Sequence, residues 1–517
     1  MPPFFIYRLK VKKSQSTFLL LLYVIFFSSL SYSQDDFVTR HHLAFSYDRL
    51  TLPENEKMGL VGGNYLFSIG DYFYTGLGVY GAVDGIRGGF FTGGLTTGIR
   101  FNFRRAYYSD INAFVGGGGG GAAPQGGGLM LRTSIEAGRY FGSNSLGLGY
   151  SYIDFPNGDI TSHQLALNYR YSFSTFHLPG WASKTKDQEG IFLRQVQNLK
   201  LMPRQFSVQL THYFPVSSVA RSGKSFDNRL DILGIRWRSN WKGNYWFEFE
   251  TGGAMLGNID GFAQVLSGFS YEHMLSRNIR SNYGFMLGAA GGGDVNTGGG
   301  SIYRVFAGLS FIMNKHWSIL TQIAWTAAVE NKFRAATGLI NLVYHYQGLA
   351  STNKSPSSKR LTLSKKINWR KIRVRPGIQR YSHYYGSGRK SQKQKNLDVN
   401  LVNLKLDSFI NPHFYVTGHA IGAIAGKAGG YAVGLVGPGL QLNSIFSAEL
   451  LGGVAGGGGI AVGSGQIVQP MINLTLPIND AWQYEASIGY IKAINAELSA
   501  VVTNMAISYR FRKPYLH

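Results

Sequence analysis

The chain has 517 residues, with 68 Gly, 34 Phe, 31 Tyr and no Cys, and only 15% of them are charged, which is a glycine-rich, aromatic composition unlike that of an ordinary secreted globule. The absence of cysteine excludes a disulfide framework, a thiolate metal site and a cysteine nucleophile. The formal net charge of +24 asks for an anionic partner, but much of the excess sits in Lys354 to Arg375 and Arg389 to Lys395, which read as solvated linker and loop charge.

The first element is a basic segment, Arg8, Lys10, Lys12 and Lys13, followed by the apolar run Phe18 to Phe27 and the small residues of Ser31-Tyr-Ser33. That order predicts a signal peptide over residues 1–33, cleaved after Ser33, because the apolar run is well short of the ~20 residues of a spanning helix. An exported chain has no nucleic acid to meet, so a nucleic-acid partner is not expected.

From there the chain is read in strands. Eight strand-like runs begin near His42, Leu60, Phe73, Phe91, Ile111, Leu131, Leu146 and Leu165. Period two is strict in Gln164 to Phe173, where Leu165, Leu167, Tyr169, Tyr171 and Phe173 share one face and Gln164, Ala166, Asn168, Arg170 and Ser172 the other. Leu131 to Phe141 and Trp482 to Tyr490 alternate in the same way. Strands of about ten residues or more, aromatic near the ends of the apolar face and small and polar on the opposite face, lean toward a membrane barrel over a soluble sandwich. Only a closed barrel lets strands cross hydrocarbon without bare edges.

Between the fifth and sixth runs stands a block of six glycines, Gly116 to Gly121, followed by Gly126 to Gly128. Comparable hairpins recur at Gly291 to Gly300 and Gly456 to Gly465, and each is followed by strands that end in aromatics: Leu167 to Phe173, Leu342 to Tyr346 and Ile507 to Phe511. The chain is therefore a threefold repeat of a long unit. An even number of strands puts both ends of a unit on one side, expected to be periplasmic, with the turns at Phe141 to Ser145, Met313 to Trp317 and Ile478 to Trp482. The glycine hairpins then fall on the outside. They read as architectural, because a phosphate-cradling loop opens a helix after a strand and carries a Lys-Ser/Thr pair, neither of which is found here.

On the signal sequence, the alternating strands, the lack of Cys and the ending Met505 to Phe511, the chain resembles bacterial outer-membrane β-barrel proteins. The resemblance implies an all-β transmembrane antiparallel barrel fold in the outer membrane of a Gram-negative envelope, with surrounding lipid as a partner. It also implies the barrel-assembly machinery as a partner during biogenesis, reading a signal that includes Tyr509 and Phe511. The chain departs from the usual pattern in continuing to His517.

About 24 strands can close as three tandem eight-stranded barrels or as one wide barrel, and the former is favoured by polar joining segments that read as linkers. The expected division is barrels over residues 34–174, 204–346 and 370–517, a linker over 175–203 and a basic linker over 347–369. Lumen-facing charges fit filled interiors: Arg100, Arg132, Glu136 and Arg170 in the first unit, and Glu248, Glu250, Glu272 and Arg304 in the second. No catalytic, cofactor or metal site is expected. Ser162 and His163 are adjacent on a strand and so point to opposite faces, and the rings of His41 and His42 diverge for the same reason. His163, His273 and His383 read as surface or loop residues. The leading expectation is a non-enzymatic structural or interaction protein, with anionic or protein partners at the basic linkers. The alternatives are a wide pore favouring anions and, more remotely, a lipid-directed enzyme.

Overall fold

The structure is a computed structural model and describes residues 38–104, 106–181, 199–216, 220, 222–223, 230–257, 259–330, 333–351, 368–383, 390 and 398–515. The segment read as a signal peptide, and most of the segments read as linkers, lie outside the described residues.

Each repeat closes on itself. The first barrel is β1 (Val38–Thr51), β2 (Lys57–Ile69), β3 (Phe73–Asp84), β4 (Phe91–Phe103), β5 (Tyr107–Gly119), β6 (Leu129–Phe141), β7 (Asn144–Asp154) and β8 (Thr161–Phe176). A two-residue strand, β9 (Leu178–Pro179), follows it. The second barrel is β10 (Leu199–Pro215), β11 (Leu230–Lys242), β12 (Tyr245–Leu256), β13 (Ala263–Met274), β14 (Ile279–Gly291), β15 (Ser301–Ile312), β16 (Trp317–Ala328) and β17 (Arg334–Ser351). The third is β18 (Asn368–His383), β19 (Val399–Phe409), β20 (Phe414–Ala425), β21 (Ala432–Gln441), β22 (Phe446–Gly456), β23 (Gln466–Pro477), β24 (Trp482–Ala493) and β25 (Ser499–Tyr515).

All pairings are antiparallel between sequential neighbours, and each barrel is sealed by its first and last strands, β1 with β8, β10 with β17 and β18 with β25. The single wide barrel is not formed. The strands also reach into the segments read as linkers: β10 starts at Leu199, β17 runs to Ser351 and β18 starts at Asn368. The reason is pairing, since Leu199 to Pro203 and Gln347 to Ser351 are partners of one another.

The alternation that defines the strands decides the two faces. On β8, Leu165 is 67% exposed while Ala166 is fully buried and Gln164 and Arg170 nearly so, so the apolar set faces out and the polar set faces the lumen. Trp317 and Tyr484 stand on outer walls near the ends of the barrels that carry the chain termini, in the position of an interfacial girdle. Turns at that end repeat one device. Asn314, Asn411, Asn443 and Asn479 each accept, through Oδ1, the backbone N–H of the residues two and three further on, which pins a four-residue turn ending in Trp317, Phe414, Phe446 or Trp482.

The barrels are arranged in a ring with pseudo-threefold symmetry. The third strand of each unit lies against the fifth strand of the next, β3 against β14, β12 against β22 and β20 against β5, so a head-to-tail interface closes after three steps. A β-bulge recurs at the same place in every unit, with Val83, Met255 and Ile424 as the extra residue near the end of the third strand. The bulges bring the backbone to its neighbour: the Val83 carbonyl accepts the Ser301 hydroxyl, and Ile424 sits over Gly117.

The glycine blocks belong to this ring. Gly89, Gly261 and Gly430 have φ of +88°, +90° and +88°, and a methyl group added to them would run into the backbone of Gly292, Gly457 and Gly120 of the adjoining unit. Backbone hydrogen bonds cross the same junctions, from Gly88 N to Gly298 O and from Gly430 N to Gly118 O, both 2.9 Å. The glycines thus let two backbones meet where a side chain would hold them apart. Replacing Gly89 with Val should destabilise the ring by about 1–3 kcal/mol while leaving single barrels closed. Limited proteolysis between units alongside a heat-dependent gel shift measures this. Gly70→Ala is the control, because Gly70 has φ of +66° but open space around it.

Candidate functional site: filled lumens and the barrel junction

Inward-facing charges in the first lumen form a connected set. Arg100 pairs with Asp110 at 2.8 Å and approaches Glu136 at 3.6 Å, and Arg170 reaches Asp110 at 3.2 Å. Arg132 lies 3.1 and 3.2 Å from the two Asp48 oxygens. The Tyr74 hydroxyl donates to Asp110 at 2.7 Å, and that of Tyr108 donates to Glu136. In the second lumen Arg236 and Arg238 both engage Glu248, Arg238 continues to Glu272 at 3.0 Å, and Arg304 pairs with Glu250 at 2.6 Å.

The third lumen is organised around one residue. Arg375, fully buried, reaches Asp407 at 2.7 Å, Glu449 at 2.5 Å and Glu485 at 2.8 Å. Arg373 shares Asp407 at 2.6 Å and Lys405 shares Glu449 at 2.8 Å.

Among the described residues each lumen therefore holds three buried cations against three buried carboxylates. Nine cations against nine acids cancel, so these buried charges contribute nothing to the surplus of +24. Burial without water is tolerable because each charge has an opposite partner and further hydrogen bonds.

Above the charges, toward the glycine hairpins, each interior turns apolar. Leu50, Met58, Tyr80, Phe90 and Phe114 fill the first barrel, Tyr213, Ile232, Phe262, Met286 and Phe333 the second, and Tyr381, Leu401, Tyr431, Leu451 and Met471 the third. Aromatic pairs stack across these layers, Tyr80 with Phe114 at 4.7 Å and Tyr213 with Phe333 at 5.6 Å. Arg132 lies over the Tyr80 ring at 5.7 Å, joining the charged layer to the apolar one.

Every charge read from the sequence as lumen-facing lies inside a barrel, but several of their partners are residues outside that set. Arg132 and Arg170 are satisfied by Asp48 and Asp110, and Glu248 and Glu272 are bridged by Arg238; none of these partners was picked out. The signal for them was alternation: Ser46 and Asp48 share a face, as do Arg236 and Arg238. The reading of Lys354 to Arg375 as solvated linker charge fails at its end, because Arg373 and Arg375, two apart on β18, both point inward. Tyr509 and Phe511 stand on the outer wall of β25, Tyr509 against Trp482 at 4.7 Å.

Ser162 is buried and bonded to Gln164 and the Thr51 N–H, while His163 is exposed on the outer wall against Tyr152. His42 faces inward between Ser172 and Ser68, and His41 faces outward among Tyr65, Phe67 and Phe173. His273 is exposed, and the side chain of His383 lies outside the described residues.

At the end carrying the termini, the segment after the first barrel straps onto the third. β25 overhangs its neighbour β24, and β9 takes the free edge, pairing Pro179 with Phe511 and Leu178 with Arg512. Trp181 packs on Phe409 at 4.5 Å and donates to the Ile372 carbonyl at 3.2 Å. His177, just outside the strands, hydrogen-bonds Thr39 at 2.8 Å and meets Phe511 and His41 edge-on. Burial pushes its imidazole down from 6.5 to about 4, and the charge of Lys513 adds to the shift.

Closed antiparallel barrels with apolar outer walls and polar interiors are the architecture of bacterial outer-membrane proteins, and this chain has that architecture. No protein-family model matches the chain, and no curated protein matches it significantly. Among solved structures it is similar to the outer membrane protein OpdK from Pseudomonas aeruginosa, at 8% identity over 92% of this chain and 99% of that one, with a TM-score of 0.22. OccAB3 of Acinetobacter baumannii gives 10% identity over 92% and 99%, with a TM-score of 0.20. The siderophore receptor PirA from Pseudomonas aeruginosa gives 8% over 92% and 81%, with a TM-score of 0.27. At scores this low none of them informs the arrangement of the three barrels, which rests on this chain's own strand pairing.

Arg375→Met leaves three carboxylates without their shared cation and should destabilise the third barrel by about 3–5 kcal/mol, read as a lower temperature for its heat-dependent gel shift. His177 predicts a loss of stability on acidification, the same direction as for a carboxylate held below its ordinary pKa but at higher pH. The docked strap keeps it neutral, whereas the released segment binds a proton below about 6.5, so its contribution is complete above that pH and is lost as pH falls toward about 4. Protease sensitivity of the strap should rise across that window, and His177→Phe should flatten the change.

Proposed function

We propose that this protein is a non-conducting, non-enzymatic scaffold of the outer membrane, whose three barrels act as a single rigid interaction platform. The observation that carries this reading is the filling of every lumen, by a neutral ion-pair layer and then by an apolar layer. A conducting pore needs a continuous wet path, and a selective one needs a ring of like charge facing it. The paired charges offer neither.

Because each unit begins and ends at the same end of its barrel, the strand ends that the joining segments connect all lie on one side, which the reading of an exported chain assigns to the periplasm. The surplus of basic residues outside the lumens suits anionic or protein partners there. Among the described residues no group of three or more His, Asp or Glu is placed to hold a metal ion. The separation of Ser162 from His163 onto opposite faces likewise gives no support to a hydrolase.

The test is ion conductance of purified, detergent-folded protein in a planar bilayer. Folded protein should give little or no current. Large stable steps would overturn the scaffold reading.

A further inference from the structure

The outer walls of the second and third barrels do not close on each other along their length. A slot remains between β11 and β12 on one side and β19 to β22 on the other, continuous with the terminus-side mouth of the second barrel, and together they enclose about 1960 Å3. That is larger than the roughly 300–1,000 Å3 of a small-molecule pocket. The glycine ring seals it at one end, where Gly89, Gly119, Gly261 and Gly430 line it, and it opens at the end that carries the termini, beside Trp369 and Tyr515.

Two outward-facing positions of its walls carry no side chain. Gly418 and Gly434 point outward on β20 and β21 between Val416 and Ala420 and between Ala432 and Val436. A methyl group added to either would meet nothing within 4 Å, and neither has a positive φ. Glycine is thus not required there by the backbone, and what it provides is room.

The mouth is basic. Arg204, Lys315, Arg370, Lys371 and Lys513 line it. Among the described residues, the one acid in the lining is Glu272, already held by Arg238 at 3.0 Å and Arg280 at 2.8 Å. The Arg204 Nε is buried without a hydrogen-bond partner. An apolar slot in the hydrocarbon layer, opening onto clustered cations at the level of the interfacial aromatics, has the complementarity of a lipid with a negative head.

We infer that the slot holds one resident anionic diacyl phospholipid, its chains against Gly418 and Gly434 and its phosphate at Arg204 and Lys513. This rests on the membrane-embedded reading above. The lipid seals the gap that the glycine ring leaves between the second and third barrels, which makes it part of the assembled fold and not of the exchanging annulus.

The full chain is folded into vesicles of phosphatidylglycerol or of phosphatidylcholine, re-extracted in mild detergent, washed extensively, and its retained phospholipid is counted by native mass spectrometry. Wild type should keep stoichiometric phosphatidylglycerol and several-fold less phosphatidylcholine. The slot-filling pair Gly418→Leu and Gly434→Leu should keep its heat-dependent gel shift and lose at least fivefold of the retained lipid. Arg204→Gln with Lys513→Gln should abolish the preference between the two lipids, and it decides the matter if the leucine pair does not fold. Undiminished retention by folded leucine protein, equal retention of both lipids by wild type, or a slot occupied by the chain's own segments in cross-linking would overturn the inference. Failure of wild type to insert into either vesicle would instead overturn the membrane reading itself.

Discussion

The structure depends on one constraint, that every strand edge inside hydrocarbon must find a partner. A bare row of backbone N–H and C=O groups in lipid costs several kcal/mol per group, so the sheet has to close, and here it closes within each repeat through β1 with β8, β10 with β17 and β18 with β25. Closure after eight strands fixes a narrow lumen. A narrow lumen must be filled by side chains, and the inward positions that alternate with lipid-facing ones are polar. The interior therefore becomes a set of buried charges that have to be paired.

The three barrels reach the same balance by different placements. In the first, the cations sit on β4, β6 and β8; in the second, on β11 and β15; in the third, on β18 and β19. What the repeats hold in common is the frame: the bulge on the third strand, the glycines at the ring and the apolar layer above the charges. The frame is shared because it is made by backbone geometry and by the interface each unit presents to the next. The ion pairs are free to move because any arrangement of three cations and three carboxylates that is locally neutral satisfies the same requirement.

A ring of non-identical units also explains the strap. Head-to-tail contacts of the β3 and β14 kind would close equally well among separate copies, but β9 paired to the overhanging end of β25 ties the first barrel directly to the third. The junctions are not equal, however. Both of the third barrel's junctions meet backbone to backbone at the glycine ring, but beyond it the first and third barrels keep such a contact at Gly117 and Gly422, whereas Gly253 of the second faces the Val454 side chain of the third.

The sequence by itself determined the strands, their two faces, the threefold repeat and the inward direction of Arg100, Arg132, Glu136, Arg170, Glu248, Glu250, Glu272 and Arg304, because period-two alternation is a local property that ten residues suffice to display. It also located the glycine blocks, as architectural elements of hairpins. It did not tell what they are for, since a close approach between backbones more than a hundred residues apart leaves no local trace. Only the tertiary structure decided that three small barrels form where the same alternation would serve one wide barrel, because closure depends on which distant edges pair. It likewise decided that Arg132 meets Asp48 and that Arg375 gathers three carboxylates. Partners in a barrel are chosen by register and curvature across the lumen, and neither is written in the pattern of any one strand.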